Sequence, residues 1–241
     1  MNYKIVAIIH ARGGSKRLPL KNIKPLLGRP LVHYPIKLSQ AVPLINRVIV
    51  SSDHPEIIRV SKEAGAEVPF VRPADISEDV ASELVNVHAV KWLMDNENYK
   101  PDIIVTLTPA NPLTKPSDVE HGIRMLLDHP TWDSVVTVRK AREFPQWMID
   151  VQPDGLGQTL LGNSFDGEYN VSQNLKRYYY PLGAFYINRV DPFLRKPSCY
   201  GEKYGCIELD PGDNIDIDYP EDLAEAEKVA KRLQGVPKEA R

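Results

Sequence analysis

The 241-residue chain has little of what would place it in several common classes. It carries only two cysteines, Cys199 and Cys206, without C-x-x-C spacing. A multi-bridge framework is therefore excluded. A single bridge between them is open, but free thiols in a reducing cytoplasm are the expectation. No apolar run approaches the roughly 18 residues of a membrane span. The start of the chain lacks the basic region, apolar core and small-residue cleavage site of a signal peptide. A formal net charge of -2 and a pI near 6.3 give no electrostatic case for nucleic acid or an anionic membrane. The sequence has no G-x-x-x-x-G-K-[ST], no G-x-G-x-x-G and no G-x-S-x-G, which removes the Walker loop, the dinucleotide fingerprint and the hydrolase elbow. Its six histidines (His10, His33, His54, His88, His121, His129) form no H-x-x-x-H pair, and solvated or packed roles are expected for them.

What is present begins at Ile5. The run Ile5-Val6-Ala7-Ile8-Ile9 reads as a buried strand. It opens into a loop with Gly13, Gly14 and Ser15, flanked by Arg12, Lys16 and, at the far edge, Lys21. Glycines let backbone N–H groups turn inward and the cations add fixed charge, a cradle for a polyphosphate. The plainer alternative is a tight turn with solvated cations.

Further strands are predicted at 47–53, 67–71, 102–107 and 134–138. They alternate with helices at 30–42, from Pro55 to Gly65, 81–97 and from Ser117, where Ser117 and Glu120 suggest a capping box. On the 81–97 helix, Leu84, Val87, Val90 and Leu93 mark the apolar face. The alternation predicts a single α/β domain over 1–241 with a doubly wound, mostly parallel sheet. Residues 139–180 break the rhythm and read as a small β-rich insertion. Residues 183–188 return to the sheet, 205–209 form a strand, and a last helix runs from Pro220 to about Leu233 before a frayed end at 235–241.

Ligands of such sheets sit outside the carboxyl ends of the strands. The Arg12–Lys21 loop, Ser51-Ser52-Asp53, the Thr108–Pro112 loop and the pair Asp216/Asp218 all fall there. Asp216 and Asp218 alternate with Ile215 and Ile217, so in extended chain both carboxylates face one way, a hard-oxygen site suited to Mg²⁺. The alternative makes Asp218 an N-cap for the helix at Pro220. Arg72-Pro73-Ala74, with Ser77, Asp79, Ala81 and Ser82, is a polar loop leading into a helix. Tyr178-Tyr179-Tyr180 suits either an aromatic platform or interface packing.

The run A-R-G-G-S-K-R-L-P-x-K-N from Ala11 to Asn22, followed by Pro25, Leu26, Gly28, Pro30 and Leu31, resembles the opening motif of the cytidylyltransferases that activate sialic acid and related nonulosonic acids. The resemblance spans Ile5 to about Ala226 and is strongest at 11–22, 72–82 and 213–223. It implies a Rossmann-like nucleotidyltransferase fold, CTP and an acidic sugar as substrates, Mg²⁺ as cofactor, and a homodimer packed through 139–180. It implies catalytic roles for Arg12, Lys16 and Lys21, and metal binding by Asp216 and Asp218. Ala11, Gly13, Gly14, Ser15, Asn22, Arg72, Ala81 and Ser82 would lie at the nucleotide.

The acceptor half departs from the sialic-acid pattern. Where those enzymes carry Q-P-T-S-P, this chain has Thr108-Pro109-Ala110-Asn111-Pro112. Where they carry R-Q-x-L-P and then R-P-N-G-A, it has Ser172-Gln173-Asn174-Leu175-Lys176 and Tyr180-Pro181-Leu182-Gly183-Ala184. An amide arm and two arginines are absent, which points from N-acetylneuraminate towards a legionaminic- or pseudaminic-type acid. Thr108, Asn111, Lys176, Arg177 and Tyr180 are then the expected acceptor contacts. Two other readings stay open: transfer from another nucleotide such as GTP or to another acid such as a phosphonate, and a non-catalytic nucleotide-binding protein of the same fold.

Overall fold

The computed structural model describes residues 3–78, 81–163, 165, 167, 171–210, 212 and 214–235. Asp79, Asp213 and the chain end at 236–241 lie outside the described residues. The first strand, β1 (Ile5–His10), is followed by a two-strand hairpin, β2 (Pro25–Leu26) and β3 (Arg29–Pro30), and by α1 (His33–Ala41). Next come β4 (Arg47–Ser51), α2 (Pro55–Glu63), α3 (Ser82–Glu97), β5 (Ile103–Leu107), α4 (Pro116–Asp128) and β6 (Ser134–Lys140). A second hairpin, β7 (Ile149–Val151) and β8 (Gly157–Thr159), precedes β9 (Tyr179–Arg189), α5 (Val190–Arg195), β10 (Tyr204–Glu208) and α6 (Pro220–Gly235).

The main sheet has six strands in the order β10-β6-β9-β5-β1-β4. All neighbours are parallel except around β9, which runs antiparallel to both β5 and β6. β1 lies between β4 and β5, with His10 opposite Ser51 and Ile9 opposite Leu107. Its side chains alternate between two cores, as a strand covered on both faces must. Ile5, Ala7 and Ile9 pack with α1, α2 and α4 residues such as Ile36, Ile57 and Ile123. Val6 and Ile8 pack with Ala89, Val90 and Leu93 of α3 and Phe193 of α5. A third cluster joins Leu18, Leu26 and Leu31 to Ile217 and Ala226, tying the loop after β1 to the chain before α6.

Several boundaries differ from the pattern-based expectation for local reasons. The strand expected at 67–71 shrinks to one bridge, Ile49 to Glu67, because Pro69 has no N–H to extend the ladder. α1 starts at His33 because Arg29 and Pro30 are paired with Leu26 and Pro25. Pro116, whose fixed φ suits a first helical position, starts α4 with Lys115 at the N-cap, so Ser117 lies inside the helix and makes no capping box. The buried face of α3 is Val85, Asn86, Ala89, Val90 and Leu93, leaving Leu84 exposed. The helix therefore turns a polar Asn86 inward.

At the cavity rim β9 is irregular. Its register with β6 shifts between Val136 and Val138, and Gly183 there takes a positive φ of 71°. Thr137 Oγ1 accepts the Ala184 N–H at 3.0 Å, satisfying the amide displaced by the bulge. Among the described residues no helix is long and apolar enough to cross a membrane. Cys199 (buried) and Cys206 (exposed) are both unbridged.

Candidate active site

A cavity of about 490 Å³ opens at the carboxyl ends of the parallel strands. Three of the segments singled out by sequence form its walls: the loop after β1, the Thr108–Asn111 loop after β5, and the Asp216/Asp218 pair. The fourth, Ser51-Ser52-Asp53, acts from behind as an anchor.

The loop after β1 is fixed by its main chain. Ala11 N–H donates to Ser51 O at 3.0 Å. Gly13 N–H donates to Asp53 Oδ1 at 2.8 Å, and the buried Asn22 amide donates to Arg12 O at 2.7 Å. A Cβ at residue 13 would lie 2.9 Å from His54, so glycine is required there by close approach rather than by φ. Of the two glycines expected in the cradle, Gly13 gives its amide to Asp53, and neither is among the residues lining the cavity. Arg12, Ser15, Lys16, Arg17, Lys21 and Asn22 do line it. Ala11 is buried behind the wall, and Ala81 stands outside it as the N-cap of α3, whose next residue, Ser82, does line it. The loop brings the cations Arg12, Lys16, Arg17 and Lys21 to the cavity.

Lys21 is not peripheral. Its Nζ donates to Ile217 O at 2.7 Å and to Asp218 Oδ1 at 3.0 Å, and Arg17 meets the other oxygen of Asp218 at 2.6 Å. Ile217 N–H in turn donates to Ala110 O at 2.8 Å. Residues 214–218 form no ladder strand, yet the predicted alternation holds, with Ile217 fully buried and both aspartates lining the cavity. Asp218 does not cap α6, since Asp222 Oδ2 accepts the N–H groups of Asp218 and Tyr219.

Asp216 differs from its neighbour. Among the described residues its carboxylate has no hydrogen bond or ion pair, although burial and then the nearby Asp218 push its pKa up. Its residue surface is solvent-accessible, but the carboxyl lies low enough in the cavity mouth for desolvation to dominate. An unpartnered carboxylate beside a second one is a fitting donor set for a hard cation. No group of three or more His, Cys, Asp or Glu is found among the described residues, so phosphate or water oxygens would have to complete the shell.

Deeper in the cavity Arg72 is almost wholly buried. Its Nε donates to Ser51 Oγ at 3.0 Å and its Nη2 to Ser51 O at 2.5 Å. Burial lowers its pKa to about 10, with Asp53 opposing and Arg12 adding to the shift. Sequence reasoning gave no site role to several further lining residues, among them His10, read as solvated or packed, Glu78 and Tyr186. The parity of β1 was the available signal for His10, because Val6, Ile8 and His10 must share one face. Burial, then Tyr200, raises the Tyr186 phenol, which therefore stays protonated.

Of the residues expected at the acceptor, two lie at the cavity. Thr108 and Asn111 line the cavity, joined by a 3.4 Å bond from Asn111 Nδ2 to Thr108 Oγ1. Lys176, Arg177 and Tyr180 do not. Lys176 lies over Tyr178, Arg177 over Phe144, and Tyr180 under Arg139, because aromatic faces within the insertion capture these cations.

His10 also sets a pH dependence. Burial, then the charge of Arg72, lowers its pKa to about 4 from the usual 6.5. Between these values the unfolded chain binds a proton that the folded chain refuses, so stability from this site is whole above pH 6.5 and is lost as pH falls towards 4. The thermal midpoint should fall across this window in the wild type and less steeply in His10→Leu. Equal slopes would contradict the assignment.

A mostly parallel α/β sheet with a polycationic loop, two facing carboxylates and a cavity at its strand ends defines a nucleotide-handling transferase class. A cytidylyltransferase family profile matches residues 6–234, and the chain belongs to that family. It is 29% identical over 232 residues to CMP-N,N'-diacetyllegionaminic acid synthase of Legionella pneumophila, covering 96% of this chain and 98% of that protein. It is 28% identical to a pseudaminic acid cytidylyltransferase of Campylobacter jejuni, over 91% of this chain and 93% of that protein. Its fold matches the solved CMP:2-keto-3-deoxy-manno-octonic acid synthetase, with a TM-score of 0.70 at 17% identity over 95% of this chain and 99% of that one.

Proposed function

We propose that this chain transfers CMP from CTP to an acidic nonulosonic sugar and releases pyrophosphate. The observation that carries the proposal is the meeting of Arg12, Lys16 and Lys21 with Asp216 and Asp218 in one cavity. The sugar's anomeric hydroxyl would attack the α-phosphorus, the bridge to the β-phosphate would break to release pyrophosphate, and the hydroxyl proton would pass to solvent. Arg12 and Lys16 bind the phosphates and offset their growing charge, while Lys21 holds Asp218 in place. Asp216 and Asp218 are the residues that would hold Mg²⁺, which supplies further charge neutralisation on the phosphates when bound. The lining Ser15, Asn22, Arg72 and Ser82 serve the nucleotide.

For the acceptor, the names of the Legionella and Campylobacter relatives agree with the direction of the departures at Thr108–Asn111. Ala110 and Tyr186 give that wall apolar surface suited to deoxy and acylamido substituents. A buried hydrogen bond lost by the wrong sugar costs roughly 1–3 kcal/mol, or about tenfold or more in selectivity. kcat/KM with legionaminic or pseudaminic acid should exceed that with N-acetylneuraminate by about this factor. A clear preference for N-acetylneuraminate would overturn the acceptor assignment.

The protein is proposed to act as a cytoplasmic homodimer. Trp147, Ile149, Val151, Leu156 and Leu160 of the insertion, with Tyr179 and Tyr180, are exposed large apolar or aromatic side chains that a second copy would cover. Light scattering should give twice the 27.2 kDa chain mass, and a monomer at micromolar concentration would contradict this.

A further inference from the structure

His10 ends β1 on the face turned to α3, and its Nε2 lies 2.8 Å from Oδ1 of Asn86. Asn86 is fully buried and its Nδ2 donates to Thr106 Oγ1 at 2.8 Å, which leaves its Oδ1 as acceptor. With the amide in this orientation, His10 Nε2 carries the proton. In the neutral ring Nδ1 then holds a bare lone pair, and His10 lines the cavity. Beside it, Arg72 has Nε and Nη2 committed to Ser51, while its Nη1 makes no hydrogen bond among the described residues. His10 and Arg72 both line the cavity, one with an acceptor nitrogen and the other with a donor nitrogen that make no hydrogen bond among the described residues.

We infer that His10 Nδ1 selects the base of the nucleotide by accepting a hydrogen bond from the 4-amino group of a cytosine, whose N3/O2 edge would then meet Arg72, already assigned to the nucleotide. This rests on the CTP reading above. Given that reading, the chemistry leaves little choice: cytosine N3 carries no hydrogen, so the 4-amino group is the only ring-edge donor that the base can offer. A uracil in the same pose turns its O4 lone pairs onto the Nδ1 lone pair and its N3–H onto the guanidinium. Asn86 and Thr106 act through His10 and are positioning residues, because Thr106 bonds the Asn86 amide and the amide oxygen bonds His10 Nε2.

The test measures CTP and UTP dissociation constants for the wild type and for His10→Leu. A neutral hydrogen bond exchanged for a lone-pair clash predicts a wild-type preference for CTP of about tenfold or more, falling to about twofold or less in the variant. A variant that weakens CTP and UTP equally would mean that Nδ1 faces the ribose, and would overturn the inference. So would a variant that keeps the full preference, with the CTP reading left standing. No wild-type preference for CTP over UTP, GTP and ATP would remove both. Nitrogen-15 spectroscopy of histidine-labelled wild type gives an answer independent of how the variant folds. His10 should show Nε2–H and a bare Nδ1, and the opposite tautomer would overturn the proposal.

Discussion

Asp216→Asn should lower kcat by about a hundredfold or more, the equivalent of roughly 3 kcal/mol of lost transition-state stabilisation. The same change should leave the protein without metal at least as stable as the wild type. Asp216 has no partner among the described residues, and burial and Asp218 disfavour its charge. A carboxylate whose folded pKa is raised penalises the fold once ionised, so the asparagine should relieve that penalty near neutral pH. The relief should vanish in acid, where Asp216 is protonated. Asp218→Asn is the contrast, since Arg17 and Lys21 would lose their partner and the loop after β1 its tie to residues 214–218. Turnover against Mg²⁺ concentration and thermal midpoints without metal separate the two variants. Near-normal turnover in Asp216→Asn would return that residue to a solvated role.

Lys16→Ala and Arg12→Ala should each reduce kcat by about a hundredfold with a smaller change in KM, because charge on the phosphates grows towards the transition state. The shape of the loop depends on bonds to the main chain at Ala11, Arg12 and Gly13. Lys21→Ala should lose stability as well as turnover, since Lys21 bridges the loop to Ile217 and Asp218. Steady-state kinetics with thermal midpoints test this. A change confined to KM would mean that these cations only bind substrate uniformly.

The parts of the site legible in the sequence are those that local chemistry dictates. A continuous apolar run had to be a buried strand, and Ile215 and Ile217 had to turn Asp216 and Asp218 the other way even without a ladder. What escaped depends on contacts distant in sequence. Asn86 looks like a surface residue on α3, and only Thr106 and His10, both on other strands, explain its burial. Lys176 and Arg177 supplied the right charge, but Tyr178 and Phe144 hold them elsewhere. The glycines suggested an amide cradle, whereas Asp53, forty residues on, takes the Gly13 N–H. The sense of β9 was likewise invisible, because its pairing with β5 and β6 is set by the long insertion before it.

The most direct test of the central claim is pyrophosphate release by the full chain with CTP, Mg²⁺ and a nonulosonic acid. Pyrophosphate and CMP-sugar should form in equal amounts, release should require the acid, and GTP should not substitute for CTP. Release from GTP instead, or no release with any acidic sugar by a protein that binds CTP, would contradict that claim.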